Sequence, residues 1–306
     1  MKKIFKLIVS FVLLAGFSAC NKQSLPPAPV QTVNYKGLTF ISSGKSTVRL
    51  AKVGAPDEIT LEYSTDESHW NPYTIGKKIS LADGTFLLFR AGEQKNLKFS
   101  KNSDNHYHFE ISGPVTAQGN IMSLLDRDFS TPLSPNAFFA LFEGCKSLLS
   151  APELPAKVLA SNCYGMMFKG CSALTYVPDL PATEMESYCY NSMFTNCTSL
   201  KFAPELPAKR LESNCYLCMF EGCTSLTSAP ELPATELVSH CYEFMYKDCR
   251  NLRYVIGLFT TEPSEKTTKD WLSGVAASGT FVKSKNATWN VTGVHGIPEG
   301  WKIETW

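Results

Sequence analysis

Apolar and polar residues alternate in short runs through residues 36–113: Leu38-Thr-Phe-Ile, Ser46-Thr-Val-Arg-Leu, Ile59-Thr-Leu-Glu-Tyr, Lys78-Ile-Ser-Leu, Thr85-Phe-Leu-Leu-Phe-Arg and Tyr107-His-Phe-Glu-Ile. A period of two turns one face of each run to a core and the other to water, so these runs predict β-strands. Six or seven such runs, spaced roughly 8–12 residues apart with turn residues between them, predict an all-β sandwich of Ig-like type. Asp83-Gly84 between two runs is a hairpin signal.

Beyond residue 140 the pattern lengthens to a period of 26 residues. Cys145, Cys171, Cys197, Cys223 and Cys249 form one column, and Cys163, Cys189, Cys215 and Cys241 form a second at the same period. Leu148, Leu174, Leu200, Leu226 and Leu252 follow the first column, then Leu154, Leu180, Leu206 and Leu232, and Met167, Met193, Met219 and Met245 close each unit. Whole segments recur as well: Ala151-Pro-Glu-Leu-Pro-Ala returns at Val177, Ala203 and Ala229 with small changes. Self-similarity at one fixed period predicts a solenoid, in which each unit contacts its neighbours and buries its apolar side by stacking. Columns of a single small apolar residue predict buried ladders of free thiols. Cys163 and Cys171 stand too far apart along a helical leg to bridge, whereas rungs on adjacent coils, about 5 Å apart, are the pairs that oxidation would join.

Each unit carries two predicted elements. The leg Leu-x-x-x-Cys-Tyr-x-x-x-Phe has apolar positions at steps of four and Ser or Asn near its start, which predicts a short helix. The three residues around Ala151 and its equivalents predict a short strand that stacks into a parallel sheet. A turn is expected at Pro152, Pro178, Pro204 and Pro230, because proline cannot donate inside a continuous ladder. The residue before each inward Ala or Val then faces the concave sheet surface, giving the column Ser150, Tyr176, Phe202, Ser228 and Tyr254. Aromatic rings on a rigid surface are the anchors that protein interfaces use, so this column is the candidate binding face. The competing reading has the same rings covering the sheet edge or packing on the prolines. Glu153, Asp179, Glu205 and Glu231 form an acid column beside the prolines, with Lys157 and Lys209 four residues on. Without a calcium-type Asp/Asn-Gly loop it reads as a solvated face, and no metal or cofactor is expected.

The pattern Met-Phe-x-x-Cys-x-x-Leu-x-x-Ala-Pro-x-Leu-Pro resembles the BspA-like leucine-rich-repeat surface proteins, specifically those with 26-residue repeats found in bacterial lipoproteins. The resemblance covers about residues 138–256, and the tail from Asp270-Trp-Leu-Ser-Gly to Gly-Ile-Pro-Glu-Gly-Trp-Lys-Ile also looks like the closing segment of such proteins. It implies a leucine-rich-repeat solenoid of short parallel strands and short helices. It also implies adhesion, with a host, matrix or other surface protein as partner. The Pro-x-Leu-Pro insert departs from the family pattern at the strand.

The first residues add an address. Lys2, Lys3 and Lys6 precede an apolar run from Leu7 to Phe17, followed by Ser18, Ala19 and Cys20. That order predicts a secretory signal, too short to span a membrane as a helix. A cysteine directly after small residues resembles a bacterial lipobox, which implies a lipid on Cys20 holding the protein to an outer membrane or cell surface. The expected division is a signal over 1–19, a Pro-rich tether over 20–35 and the β-sandwich over 36–113. A connector and N-terminal cap over 114–140, the solenoid over 141–256 and a C-terminal cap over 257–306 complete it.

Composition, 44% hydrophobic and 19% charged, is ordinary for a globular chain. The formal charge of +1 turns slightly negative once the three leader lysines are removed, so no basic field exists to attract nucleic acid. Gly-x-Ser-x-Gly, His-Glu-x-x-His and phosphate-loop motifs are absent, which argues against an enzyme. His106 and His108 alternate beside Glu110 on one predicted strand and read as a solvated strand face, while His69, His240 and His295 are scattered. Trp70 and Tyr73 near one turn supply an alternative function, a carbohydrate-binding surface lipoprotein that stacks sugars on the N-terminal domain.

Overall fold

The structure, a computed structural model, describes residues 37–306; the signal, the tether and the lipid expected on Cys20 lie outside these residues. The period-two runs form β1 (Leu38–Ser42), β2 (Ser46–Val53), β3 (Leu61–Ser64), β4 (Asn71–Tyr73), β5 (Ile79–Leu81), β6 (Phe86–Ala91), β7 (Ser100–Asn102), β8 (Asn105–Ser112) and β9 (Val115–Gln118). Two sheets result. One runs β9-β1-β6-β3-β4 and the other β5-β2-β8-β7, with antiparallel pairing throughout. Alternation fixes the register: β2 buries Ser46, Val48 and Leu50 and turns Thr47 and Arg49 toward solvent. The two sheets share an aromatic core, where Phe40 meets Phe109 edge-on at 5.0 Å and Phe89 meets Tyr73 at 5.1 Å. Gly113 turns the chain from β8 into β9 at φ 77°, where a Cβ would stand 2.3 Å from the Lys45 carbonyl oxygen, so only glycine fits.

The first sheet does not stop at β9. Strand β10 (Leu148–Ser150), from the first 26-residue unit, pairs in parallel with β9. Nearby, the Phe109 N–H donates to Leu141 O at 2.7 Å, and Cys145 Sγ donates to Phe109 O at 3.0 Å. Phe109 is also the first ring of a stack that continues through Phe142, Phe168, Phe194, Phe220 and Tyr246, with centroids 5.2–5.7 Å apart. A second stack runs from Phe138 through Tyr164, Tyr190, Tyr216 and Tyr242, with centroids 5.9–6.1 Å apart. All of these rings are buried. Apolar burial on this scale is the main stabilising term of the stack.

The leg expected to be helical is not a helix. In the unit that starts at Asn162, alternate N–H groups close tight turns to the third residue back: Gly165 to Asn162, Met167 to Tyr164, Lys169 to Met166 and Cys171 to Phe168. The intervening N–H groups cross to the next coil: Asn162 to Ser187, Tyr164 to Cys189, Met166 to Asn191, Phe168 to Met193 and Gly170 to Thr195, at 2.8–3.0 Å. Every fourth residue takes positive φ, as Asn162, Met166 and Gly170 do here and Asn214, Cys218 and Gly222 do two units on. The reason is lateral spacing. Packed helices need axes about 8–10 Å apart, whereas hydrogen-bonded neighbours sit about 4.8 Å apart. Units whose rings stack below 6.2 Å leave no room for a helix in each coil. A ribbon of turns solves this by sending half its backbone groups sideways into the adjacent coil, leaving few unpaired.

On the opposite side of the coil the predicted strand appears mainly at the ends of the stack. β11 (Ser228–Leu232), β12 (Tyr254–Gly257), β13 (Thr280–Lys283) and β14 (Lys302–Thr305) form a parallel sheet in that order. Between β10 and β11 there are isolated parallel bridges, Ser150 with Tyr176 and Val158 with Glu184. No strand runs through Pro178 or Pro204, but β11 passes straight through Pro230, so the expected turn at that proline is corrected. β11 lies at the sheet edge and its register slips between Ser228 and Glu231, the setting in which a strand tolerates a missing donor. The periodicity also runs on into the tail. Tyr242, Phe244 and Tyr246 donate to Thr267, Lys269 and Trp271, and β13 lies one repeat after β12. The only α-helical turn among the described residues, α1 (Glu265–Thr268), falls in this coil. Among the described residues the chain is therefore mostly β with almost no helix, and its C-terminal part is a β-solenoid.

Candidate functional site

The strand side of the solenoid positions the predicted column. Inward-facing Val177 and Val255 are buried, and the residues just before them, Tyr176 and Tyr254, are half-buried. Phe202 and Ser228 are half-buried in the same way. Ser150 departs from the expectation: it is buried, and its hydroxyl donates to Ala117 O at 2.8 Å, which ties the first coil to β9 and takes it off the surface. Ser228 pairs with Tyr254, Tyr254 with Thr280, and Thr280 with Lys302, so the face extends onto β13 and β14. Half-buried Ile256 belongs to it as well. Sequence reasoning missed Ile256, Thr280 and Lys302; the signal for Thr280 was its place one repeat after Tyr254. Exposed Thr175, Lys201 and Arg253 precede the rings in their units and give the face a polar, cationic rim. Glu153, Asp179 and Glu205 are exposed nearby, and among the described residues no group of three metal-ligating side chains converges.

The thiol ladders are structural in their contacts. Cys171, Cys197, Cys223 and Cys249 each donate from Sγ to the carbonyl of Phe142, Phe168, Phe194 and Phe220 in the preceding coil, at 3.0–3.2 Å. Burial pushes the Cys145 and Cys249 thiols up to about 12 and raises Cys171, Cys197 and Cys223 well above the ordinary thiol value. A thiol held protonated and used as a donor is a poor nucleophile. The second column is buried too, and Cys189 and Cys241 are likewise pushed up to about 12. Its one Sγ hydrogen bond among the described residues runs from Cys241 to Thr267 O in the following coil at 3.8 Å. Cys218, outside both ladders, is half-buried, and burial followed by Glu221 raises it to about 12.

The histidines do not converge on a nucleophile in a relay. Ser68 Oγ and Asp66 Oδ2 both meet His69 at the same nitrogen, Nδ1, at 3.0 and 2.7 Å, so the imidazole cannot pass a proton between them. Hydrogen bonds from the His69 backbone and ring hold the Asp66 carboxyl well below the usual carboxylate range, and the three residues lock an exposed turn. His106 is buried rather than solvated: its ring lies 5.7 Å from Phe139 of the first coil and 5.9 Å from His108. The Nδ1 atoms of both rings are buried without a hydrogen-bond partner. Tyr73 lies in the core, 6% exposed, accepting from Leu50 N and donating to Lys77 O. Arg90 covers the Trp70 ring at 3.8 Å, so the two aromatics form no joint platform at the surface.

No protein family profile, curated protein or solved structure matches this chain.

Proposed function

We propose that this chain is a non-catalytic, lipid-anchored bacterial surface protein of the BspA-like leucine-rich-repeat kind, and that its solenoid captures a host, matrix or other surface protein. In this reading the N-terminal sheets form an Ig-like sandwich that spaces the solenoid from the membrane, and the lipid is carried by Cys20. The observation that carries it is the row of half-buried rings Tyr176, Phe202 and Tyr254, at equivalent positions of three coils with Ser228 between the last two. Such rings offer apolar area at low entropic cost, and the exposed Lys201 and Arg253 beside them suit a partner with acidic rim residues. The sugar-binding alternative is weaker, because Tyr73 is enclosed and Trp70 has Arg90 on its face. The test is capture of matrix and surface proteins by the full chain and by its Tyr176→Ser/Phe202→Ser/Tyr254→Ser variant. Loss of capture at an unchanged denaturation midpoint supports the proposal, whereas equal capture by both chains removes it.

A further inference from the structure

The last strand of the solenoid sheet ends in an open edge. β14 pairs with β13 on one side, and among the described residues no strand lies on the other. Lys302 and Trp306 donate to Gly279 O and Lys283 O on the β13 side, at 2.8 and 2.9 Å. Since bonding groups alternate along a strand, the N–H and C=O of Ile303 and Thr305 point away from the sheet. Ile303 is 40% exposed and Trp306 is 60% exposed, a costly way to leave large apolar side chains beside unpaired backbone. Edges that must stay free carry repelling charges, lysine above all. This edge does not, because Lys302 is neutralised within its own strand by Glu304, Nζ to Oε1 at 2.6 Å.

The order Lys302-Ile303-Glu304 is complementary to itself when reversed. In an antiparallel pair centred on Ile303, the two Ile303 residues exchange both backbone hydrogen bonds and set their side chains against each other. Lys302 of each copy then lies opposite Glu304 of the other on the opposite face. Trp306 shares that face and flanks both ion pairs. We propose that β14 is a self-association surface: two copies of this chain join antiparallel edge to edge about a two-fold axis through Ile303. The interface is isologous, as such symmetry requires, and it merges two sheets into one. The face bearing Tyr254 and Thr280 would then continue across the axis into the second copy.

Charge exchange tests this at fixed fold. Analytical ultracentrifugation of the full chain over a concentration series should show a reversible dimer. Lys302→Glu alone places Glu opposite Glu twice and should weaken the dimer about tenfold, because like charges directly across a strand pair repel. The double variant Lys302→Glu/Glu304→Lys is self-complementary again and should restore it. Ile303→Cys should give an intermolecular disulfide on mild oxidation, since the Cα atoms of a directly opposed hydrogen-bonded pair lie about 5.5 Å apart, within disulfide reach. A chain monomeric at every concentration overturns the proposal. So does a dimer indifferent to Lys302→Glu, or one that the double variant fails to restore while its denaturation midpoint stays that of the parent.

Discussion

At the scale of single residues, burial decides what the ladder cysteines and His106 do. The cysteines attract attention as nucleophiles, yet Cys171, Cys197, Cys223 and Cys249 donate from Sγ to carbonyls of the preceding coil and their protons are held by desolvation. His106 is the residue whose burial has a consequence near neutral pH. Burial first and the neighbouring His108 second push its ring below the ordinary value of 6.5, against the pull of the Ser103 backbone, Glu143 and Asp104. A base depressed in the fold is neutral there but takes a proton when the chain unfolds, so its stabilising contribution is present above pH 6.5 and is lost as pH falls below it. The slope is at most about 1.4 kcal/mol per pH unit for one proton. Urea midpoints at pH 7.5 and pH 5.5 should therefore diverge more in the parent than in His106→Phe. Equal divergence in both chains would show that this ring does not drive the loss.

At the scale of elements, the turn ribbon replaces the helix that the steps of four predicted. Cys163, Met167 and Cys171, with Tyr164 and Phe168, are buried in the ribbon as they would have been in an amphipathic helix, so the apolar pattern alone cannot separate the two. The distinguishing signal lay in the turn-forming residues: Asn162 and Asn214, and Gly170, Asn196, Gly222 and Asp248, all at positive φ. Ser192, at φ 54°, gives a direct test because Gly and Ala rank oppositely in the two conformations. In the ribbon Ser192→Gly should exceed Ser192→Ala in stability by about 1 kcal/mol, since a Cβ is strained in the left-handed region. In a helix Ala would exceed Gly by about the same amount. Thermal or chemical denaturation of the two variants gives the sign, and a more stable Ala variant would contradict the ribbon.

At the scale of the molecule, stability is a chain of neighbour contacts running from the N-terminal sheets to β14. Phe109 of β8 begins the ring stack that ends at Tyr246, and β10 continues the sheet of β9, so the sheets template the first coil. Interrupting such a stack in the middle should damage cooperativity as well as stability. Phe194 touches Phe168 on one side and Phe220 on the other, at 5.7 and 5.5 Å. Phe194→Ala should cost about 3–5 kcal/mol and split unfolding into two transitions, one for each flank. Calorimetry would show it; a single transition with a loss below about 1 kcal/mol would mean that the rings are not the coupling element.

The amino-acid sequence by itself determined the repeat, its period and the identity of its buried columns. Cys, Leu, Met and Phe recur at positions that meet their own copies in the next coil, and the alternation of β2 or β8 settles which side chains enter the core. It also placed Tyr176, Phe202 and Tyr254 on one side of the strand position. Only the tertiary structure decided that the leg is a ribbon, that Ser150 and His106 are enclosed and that the repeat persists through Trp271 and β13. Each of these depends on what lies beside a residue in the adjacent coil or sheet. Helix and ribbon share one apolar spacing within a unit, and the choice between them falls to hydrogen bonds made with chain some 26 residues away.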